Sequence, residues 1–285
     1  MMAEHKRKDG TGQLFIVATP IGNLGDITAR ALDTLKAVDL IAAEDTRHSR
    51  HLLQHYGITT PTFAYHDHNE KRASQLILAR LNEGLDIALV SDAGTPLISD
   101  PGYQLLQLLV SEGISVVPVP GPCSIIAALS ASGMPTDRFS YHGFLPRKGR
   151  SRDEILQEIG TARTTQILLE SPNRLLNTLN NLKPWCTRER MICVAREISK
   201  LYEEFVHGDI DRVISRFSQS KPLGEITLLV GPACGMEQEI GDADILSALK
   251  LKTMRELTPS ARARMVAGNL GISRQRVYRL MIEEP

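Results

Sequence analysis

Asp86-Ile87-Ala88-Leu89-Val90, followed at once by Ser91-Asp92-Ala93-Gly94-Thr95-Pro96-Leu97-Ile98-Ser99-Asp100-Pro101-Gly102, reads as a short apolar strand opening into a glycine- and proline-rich loop. A strand with no polar alternation is buried on both faces, the mark of a parallel sheet. The same signature recurs on either side. Leu14 to Ala18 is an apolar run stopped by Thr19-Pro20, and Leu40 to Ala43, Thr59 to Ala64 and Ser115 to Val119 are further strands. Between them Ile27, Ala31, Leu32, Leu35 and Val38 recur at helical spacing, and Arg47 to Tyr56 and Lys71 to Leu81 read as helices. Alternating strands and helices predict a parallel α/β domain over residues 13–133.

Beyond Ser132-Gly133-Met134-Pro135 the texture changes. Arg138–Phe144, Thr164–Leu169, Arg190–Ala195, Glu203–His207 and Glu225–Val230 read as strands. Helical stretches near Asp153–Ile159, Asn173–Leu182 and Ile210–Phe217 separate only some of them. Neighbouring strands without an intervening helix imply antiparallel pairing, so a second, α+β domain is expected over 134–232.

The chain of 285 residues is 42% hydrophobic and 23% charged, which excludes wholesale disorder and low-complexity classes. No apolar run approaches the roughly 20 residues of a membrane helix. Met1 to Gly10 is charged, unlike a secretory signal, and is expected to be the start of a flexible N-terminus over 1–12. Cys123, Cys186, Cys193 and Cys234 form no CxxC pair, so neither a disulfide framework nor a zinc site is expected, and a reducing cytoplasm fits. His48, His51 and His55 share a helical face, but no acidic or cysteine ligand follows at a recognised spacing, so no metal is expected.

The 33 Lys and Arg balance the 33 Asp and Glu, yet the distribution is uneven. Pro232 to Lys250 is acidic, with Glu237, Glu239, Asp242 and Asp244 against Lys250. Leu251 to Pro285 is basic, with Lys252, Arg255, Arg262, Arg264, Arg274, Arg276 and Arg279 against Glu256, Glu283 and Glu284. This predicts an acidic linker over 233–250 and a small basic module over 251–285. Ala267, Gly271, Val277 and Leu280 match helix-turn-helix core and turn positions, and Ser273 would cap the second helix. Arg274, Arg276 and Arg279 would project from that helix towards nucleic acid, although such a pair can also serve only to pack on the body. A second basic cluster, Arg147, Lys148, Arg150 and Arg152, has no interspersed acid and suits phosphate contacts.

Three strand-end loops point to chemistry: Thr19 to Asn23, Ser91 to Gly102, and Pro118 to Ser124. Ligands of α/β sheets bind beyond the carboxyl ends of strands, so three such loops predict a shared cleft. Glu44, Asp45 and Arg47 form a charged strand end facing the same cleft, with Asp45 or Thr46 a helix cap. There is no GxGxxG after the first strand and no GxxxxGK[ST], so neither standard nucleotide loop is present.

The segments VATPIGNLGDIT (17–28), AAEDTRHS (42–49), VSDAGTPLISDPG (90–102), PVPGPCSIIAALSASG (118–133), FLPRKGRSR (144–152), LLESPNRL (168–175), REISKLYEE (196–204) and GEITLLVGP (224–232) resemble the family of small-subunit ribosomal RNA methyltransferases within the tetrapyrrole-methylase-like superfamily. The resemblance implies a two-domain α/β fold of the class III S-adenosylmethionine (SAM) methyltransferase type, here with a small helical C-terminal module. It implies a SAM cleft between two α/β domains and a homodimer. It also implies 2′-O-methylation of a cytidine in the decoding centre of 16S ribosomal RNA, within the small ribosomal subunit.

Position by position, the resemblance places Pro20, Ile21 and Gly22 beside the cofactor, although tetrapyrrole members usually carry Gly-Pro-Gly there. It places Ser91, Asp92 and Thr95 in the second loop, with Asp92 at the amino-acid end of SAM. Ser124 and Ile125 follow the third loop, and Leu169, Ala195 and Thr227 fall on the adenosine side. A ribose hydroxyl is a weak nucleophile and benefits from a base. Glu170, Glu197, Lys200 with a lowered pKa, and Asp100 are the candidates, with Glu170 and Lys200 preferred; Asp100-Pro101 also fits a helix cap. Two other readings stay open: a methylase of small tetrapyrroles, and a regulator built on the helix-turn-helix.

Overall fold

In the computed structural model, which describes residues 10–187, 189–233, 242–249, 257–270 and 273–283, the chain splits into one unit ending at Ala233 and a second running from Cys234. The first unit begins as the apolar runs dictate. Strands β1 (Leu14–Val17), β2 (Leu40–Ala43), β3 (Thr62–Ala64), β4 (Ile87–Val90) and β5 (Val116–Val119) form a sheet in the order β3-β2-β4-β1-β5, every pair parallel. Helices α1 (Ala29–Ala37), α2 (Thr46–His55), α3 (Glu70–Asn82) and α4 (Tyr103–Ser111) cross between them.

Successive side chains on a strand point to opposite faces, which sorts β1 cleanly. Phe15 and Val17 pack with Ala31 and Leu35 of α1 and Leu53 of α2, whereas Leu14 and Ile16 pack with Ile77 and Leu81 of α3 and Leu105 and Leu109 of α4. Gly12 is buried and donates its N–H to the Leu81 carbonyl (2.7 Å), so the expected flexible N-terminus does not reach residue 12, and residues 1–9 lie outside the described residues.

Helix α5 (Ser124–Ala131) leads into the second half, whose strands are β6 (Phe139–Phe144), β7 (Thr165–Glu170), β8 (Ile192–Arg196), β9 (Glu204–Gly208) and β10 (Ile226–Val230). Their order is β6-β7-β10-β8-β9. β6 and β7, joined through α6 (Arg150–Thr161), are parallel; the other pairs are antiparallel. One face packs against α6, α7 (Leu175–Leu182) and α8 (Ile210–Gln219) through Leu168, Val194 and Leu228.

The other face of this sheet is covered by α5. Ile125, Ala128 and Leu129 pack on Ile167, Cys193, Ala195 and Leu229. Each such Ile or Leu contributes about 1.5–3 kcal/mol by burial. A helix from the first expected domain therefore builds the core of the second, and residues 13–133 and 134–232 belong to one compact unit rather than two. Helices α4 and α5 are not among the helices that the sequence periodicity predicts.

In the second unit, α9 (Asp242–Leu249), α10 (Pro259–Leu270) and α11 (Arg274–Glu283) share a core of Ile245, Val266, Ala267, Val277 and Leu280. Residues 242–249 are thus a packed helix where a linker was expected, because Ile245 is fully buried among the other two helices. Ser273 caps α11 by accepting from the Arg276 N–H (3.3 Å). Gly271 and the charged residues Glu237, Glu239, Lys250, Lys252, Arg255, Glu256 and Glu284 lie outside the described residues. Among the described residues no helix is long and apolar enough to cross a membrane.

Candidate active site

The three loops at the carboxyl ends of β1, β4 and β5 are stitched into one wall. Thr19 and Gly94 exchange backbone hydrogen bonds (2.8 and 3.0 Å), and Thr19 Oγ1 donates to the Ser91 carbonyl (3.2 Å). Thr95 Oγ1 donates to the Pro122 carbonyl (3.1 Å), joining the second loop to the third. Gly94 has φ +84°, and a Cβ there would press on Ile21 at 3.3 Å, so only glycine closes this seam without strain. Further along, Leu97 (φ 72°) and Ser99 (φ 69°) hold left-handed backbone without being glycine, a costly conformation that clusters at functional sites.

This wall and the end of the second sheet enclose a cavity of about 400 Å³, within the range of about 300–1,000 Å³ usual for small-molecule sites. Ile21, Asp92, Thr95 and Asp100 line it from the first half, Ser124 and Ile125 from α5, and Leu169, Glu170 and Thr227 from β7 and β10. Pro20, Gly22, Ser91, Ala195, Glu197 and Lys200 are not in the lining. Ser91 is buried behind it, and Ala195 is wholly buried on β8, paired with Thr227 and packed on α5.

One part of the lining is acidic. Glu44, at the end of β2, joins Asp92 and Asp100 there. Asp92 accepts the Asp45 N–H on Oδ1 (3.1 Å). Burial raises the Glu44 carboxyl above its ordinary value, reinforced by Asp100 and Asp92. Burial likewise raises Asp100, opposed by a hydrogen bond from Ser91 and reinforced by the charges of Asp92 and Asp67. Asp100 is not a helix cap: α4 begins at Tyr103, its cap position is Gly102, and the Gly102 N–H donates to Glu70 Oε1 (3.0 Å). Asp45 does cap α2, accepting from the Arg47 N–H (2.8 Å).

The other proton-acceptor candidates are committed elsewhere. Glu170 has a fully buried side chain. Its Oε1 accepts from the Ser171 N–H (2.8 Å) and pairs with Arg174 Nε (3.3 Å), and its Oε2 accepts from Thr178 Oγ1 (2.6 Å). Lys200 Nζ is bound by Glu197 (3.0 Å) and Glu225 (3.1 Å). Burial of the ammonium alone would lower the Lys200 pKa, but these two hydrogen bonds outweigh it and hold it above its ordinary value. The lowered pKa expected of Lys200 is therefore corrected. The Lys200 stem lies against Gly22, where a Cβ would collide with it.

Comparison with known proteins places this geometry. Residues 13–214 match the family described as Tetrapyrrole (Corrin/Porphyrin) Methylases. The ribosomal RNA small subunit methyltransferase I of Synechocystis sp. is 45% identical over 95% of this chain and 98% of its own length. That of Escherichia coli O157:H7 is 44% identical over 99% of both. The chain belongs to the ribosomal RNA small subunit methyltransferase I family. Its fold is also that of uroporphyrin-III C-methyltransferase from Thermus thermophilus complexed with S-adenyl homocysteine (TM-score 0.55, 19% identity, 77% of this chain and 97% of that one).

In this family member the FLPRKGRSR segment divides into an exposed tip and a clamped base. Arg147, Lys148 and Arg150 are exposed, with Arg150 paired to Glu154 (2.7 Å). Arg152 departs from the expectation of a phosphate contact. It is only 5% exposed, and it donates to the Pro146 carbonyl (3.1 Å) and to Thr178 Oγ1 (3.1 Å), the hydroxyl that binds Glu170. Arg174 adds a bond to the Leu145 carbonyl (2.6 Å). Glu170, Thr178, Arg152 and Arg174 thus form one internal network that fixes the root of the basic loop. Sequence spacing does not reveal the roles of Arg174 and Thr178 or the Ser99–Tyr141 hydroxyl pair (2.5 Å), because these contacts are made across the fold. On α11, Arg274 and Arg279 are exposed and Arg276 pairs with Asp242 of α9 (2.9 Å).

Proposed function

We propose that this chain transfers a methyl group from SAM to the ribose 2′-hydroxyl of a cytidine in the decoding centre of 16S ribosomal RNA. The observation that carries the reading is the junction of two features in one unit: a cavity whose lining joins an acidic patch to apolar side chains, and a clamped loop presenting Arg147, Lys148 and Arg150. Relatives 44–45% identical over nearly the whole chain are named for ribosomal RNA, whereas the tetrapyrrole enzyme shares the fold at 19% identity.

The donor set fits SAM. The carboxylates of Glu44, Asp92 and Asp100 suit a ligand with cationic groups, and Ile125, Leu169 and Ile226 suit an apolar ring. When bound, the cofactor supplies a methyl group on a positively charged sulfur. Asp92 binds the ammonium group by a charge-assisted hydrogen bond, with Ile21, Thr95, Ser124 and Thr227 shaping the remaining surface. Pro20, Gly22, Ser91 and Ala195 act from behind the wall by holding these residues in place.

Asp100 takes the hydroxyl proton. It lines the cavity, caps no helix, and burial makes it a stronger base than an ordinary carboxylate. Glu170 serves as the anchor of the basic loop, and the Lys200–Glu197 pair braces the first loop. Arg147, Lys148 and Arg150 hold RNA phosphates, joined by Arg274, Arg276 and Arg279 of the second unit. The substrate is met in the small ribosomal subunit in the cytoplasm, and the enzyme works as a homodimer, for which exposed Leu201, Tyr202 and Leu223 offer apolar surface.

Incubating the protein and labelled SAM with small subunits lacking the methyl group, and separately with a porphyrinogen, tests the reading. Label entering only the RNA is expected. Label entering only the porphyrinogen overturns it.

A further inference from the structure

Strand β6 carries a defect that re-aims one side chain. Tyr141 pairs with Ile167 of β7 and Phe144 with Leu169, so three steps along β6 match two along β7. This is a one-residue bulge, and Gly143 within it has φ +63°. In a regular strand Tyr141 and Phe144 would point to opposite faces. The bulge puts both on the face of Ile167 and Leu169, and Phe144 lines the cavity beside Leu169 and Glu170.

Phe144 nevertheless remains 57% exposed. A large aromatic side chain is normally buried, and here backbone geometry is arranged to present one at a cavity. Two residues on, Pro146 begins the clamped base of the loop that carries Arg147, Lys148 and Arg150. An aromatic face beside phosphate-binding cations is the pairing by which proteins hold unstacked nucleotides. Ile125 and Ile226, assigned above to the cofactor ring, are buried, and Phe144 stands apart from them in its exposure.

We infer that Phe144 is the stacking platform for the base of the target nucleotide, which is drawn out of the RNA stack to bring its ribose to the cavity. The inference rests on the RNA-methyltransferase reading and adds a positioning residue to it. A cavity of about 400 Å³ has no room for a helical stack, so the target ribose reaches it on a single unstacked nucleotide, the form in which RNA bases are splayed onto aromatic side chains. Arg147 and Lys148 then hold the flanking phosphates while the ring of Phe144 replaces the lost neighbour.

The test compares Phe144→Leu and Phe144→Trp with the parent protein. SAM affinity by calorimetry and thermal unfolding should be unchanged in both, because the side chain is exposed. Methyl transfer to small subunits, as kcat/KM, should fall on the order of tenfold to a hundredfold in Phe144→Leu and be largely retained in Phe144→Trp, which keeps a stacking face. A model RNA with an abasic site at the target position should bind the parent and Phe144→Leu equally, because no base is left to stack, whereas the intact RNA should bind Phe144→Leu more weakly. Equal kcat/KM for Phe144→Leu and the parent overturns the inference and leaves the methyltransferase reading intact. Weakened SAM binding in Phe144→Leu also overturns it, by assigning the ring to the cofactor. A parent protein inactive on RNA defeats the underlying reading instead.

Discussion

Glu170→Ala separates an anchor from a catalyst. The Glu170 carboxylate is fully buried and accepts from Ser171, Thr178 and Arg174 at 2.6–3.3 Å. Its loss leaves the Thr178 hydroxyl without its acceptor and removes the carboxylate that pairs with Arg174, 28% exposed. Removing one partner of a buried ion pair costs about 3–5 kcal/mol. The carbonyls of Leu145 and Pro146 still bind the two arginines, which puts the expected loss at the lower end, about 3 kcal/mol. In a unit of this size that corresponds to a fall in Tm of roughly 6–12 °C. Differential scanning calorimetry of the full chain measures it, and methyl transfer assayed well below the new Tm should survive with a raised KM for RNA, since the basic loop loosens. A Tm within 2 °C of the parent (~2 °C being the least that 1 kcal/mol would give) together with abolished kcat would refute the anchor and return Glu170 to the reacting atoms.

Other outcomes follow from the same geometry. Asp92→Ala should weaken SAM binding by calorimetry while thermal unfolding stays nearly unchanged; equal affinity would remove Asp92 from the site. Asp100→Asn should lower kcat far more than it changes SAM affinity, and a matched fall in both would make it a binding residue only. Replacing Arg147, Lys148 and Arg150 by Ala should weaken RNA binding and flatten its salt dependence by up to about three phosphate contacts, with SAM affinity and Tm retained. Adding Arg152→Ala should lower the Tm without flattening the slope further. Acidification should weaken SAM binding through Glu44, and lower kcat through Asp100, at a higher pH than ordinary carboxylates would give, because both have raised pKa values and lose charge earlier. The stability term has the opposite sign. Their folded values lie above the unfolded ones, so their favourable contribution is present below the unfolded pKa and lost as pH rises through the raised values. Calorimetric titration of SAM across that range, beside thermal unfolding, checks both signs.

Much of the site was legible because backbone chemistry writes it into the sequence. Continuous apolar runs at Leu14 and Ile87 can be buried only on both faces, and the glycines and prolines after them can only be turns. What stayed hidden depends on contacts across the fold. Arg152 belongs to a run of cations that reads as one solvated patch, yet the helical turn from Arg150 carries it inward to Thr178. Helix α5 follows a first-sheet strand but its apolar face meets the second sheet, so a boundary drawn at residue 133 divides a shared core. The acidic charge at 242–249 masks the packing signal of Ile245, Leu246 and Leu249, which gains meaning only once Val266 and Val277 complete the core.

The central claim, that the acidic cavity and the basic loop serve one RNA ribose, is tested most directly by mapping the product. Small subunits lacking the modification are methylated with labelled SAM, the 16S RNA is digested, and the labelled nucleotide is located by mass spectrometry. The account predicts a single cytidine of the decoding centre carrying the methyl on its 2′-oxygen, with the label lost in Asp100→Asn. Label on a base atom, or spread over many nucleotides, would contradict it.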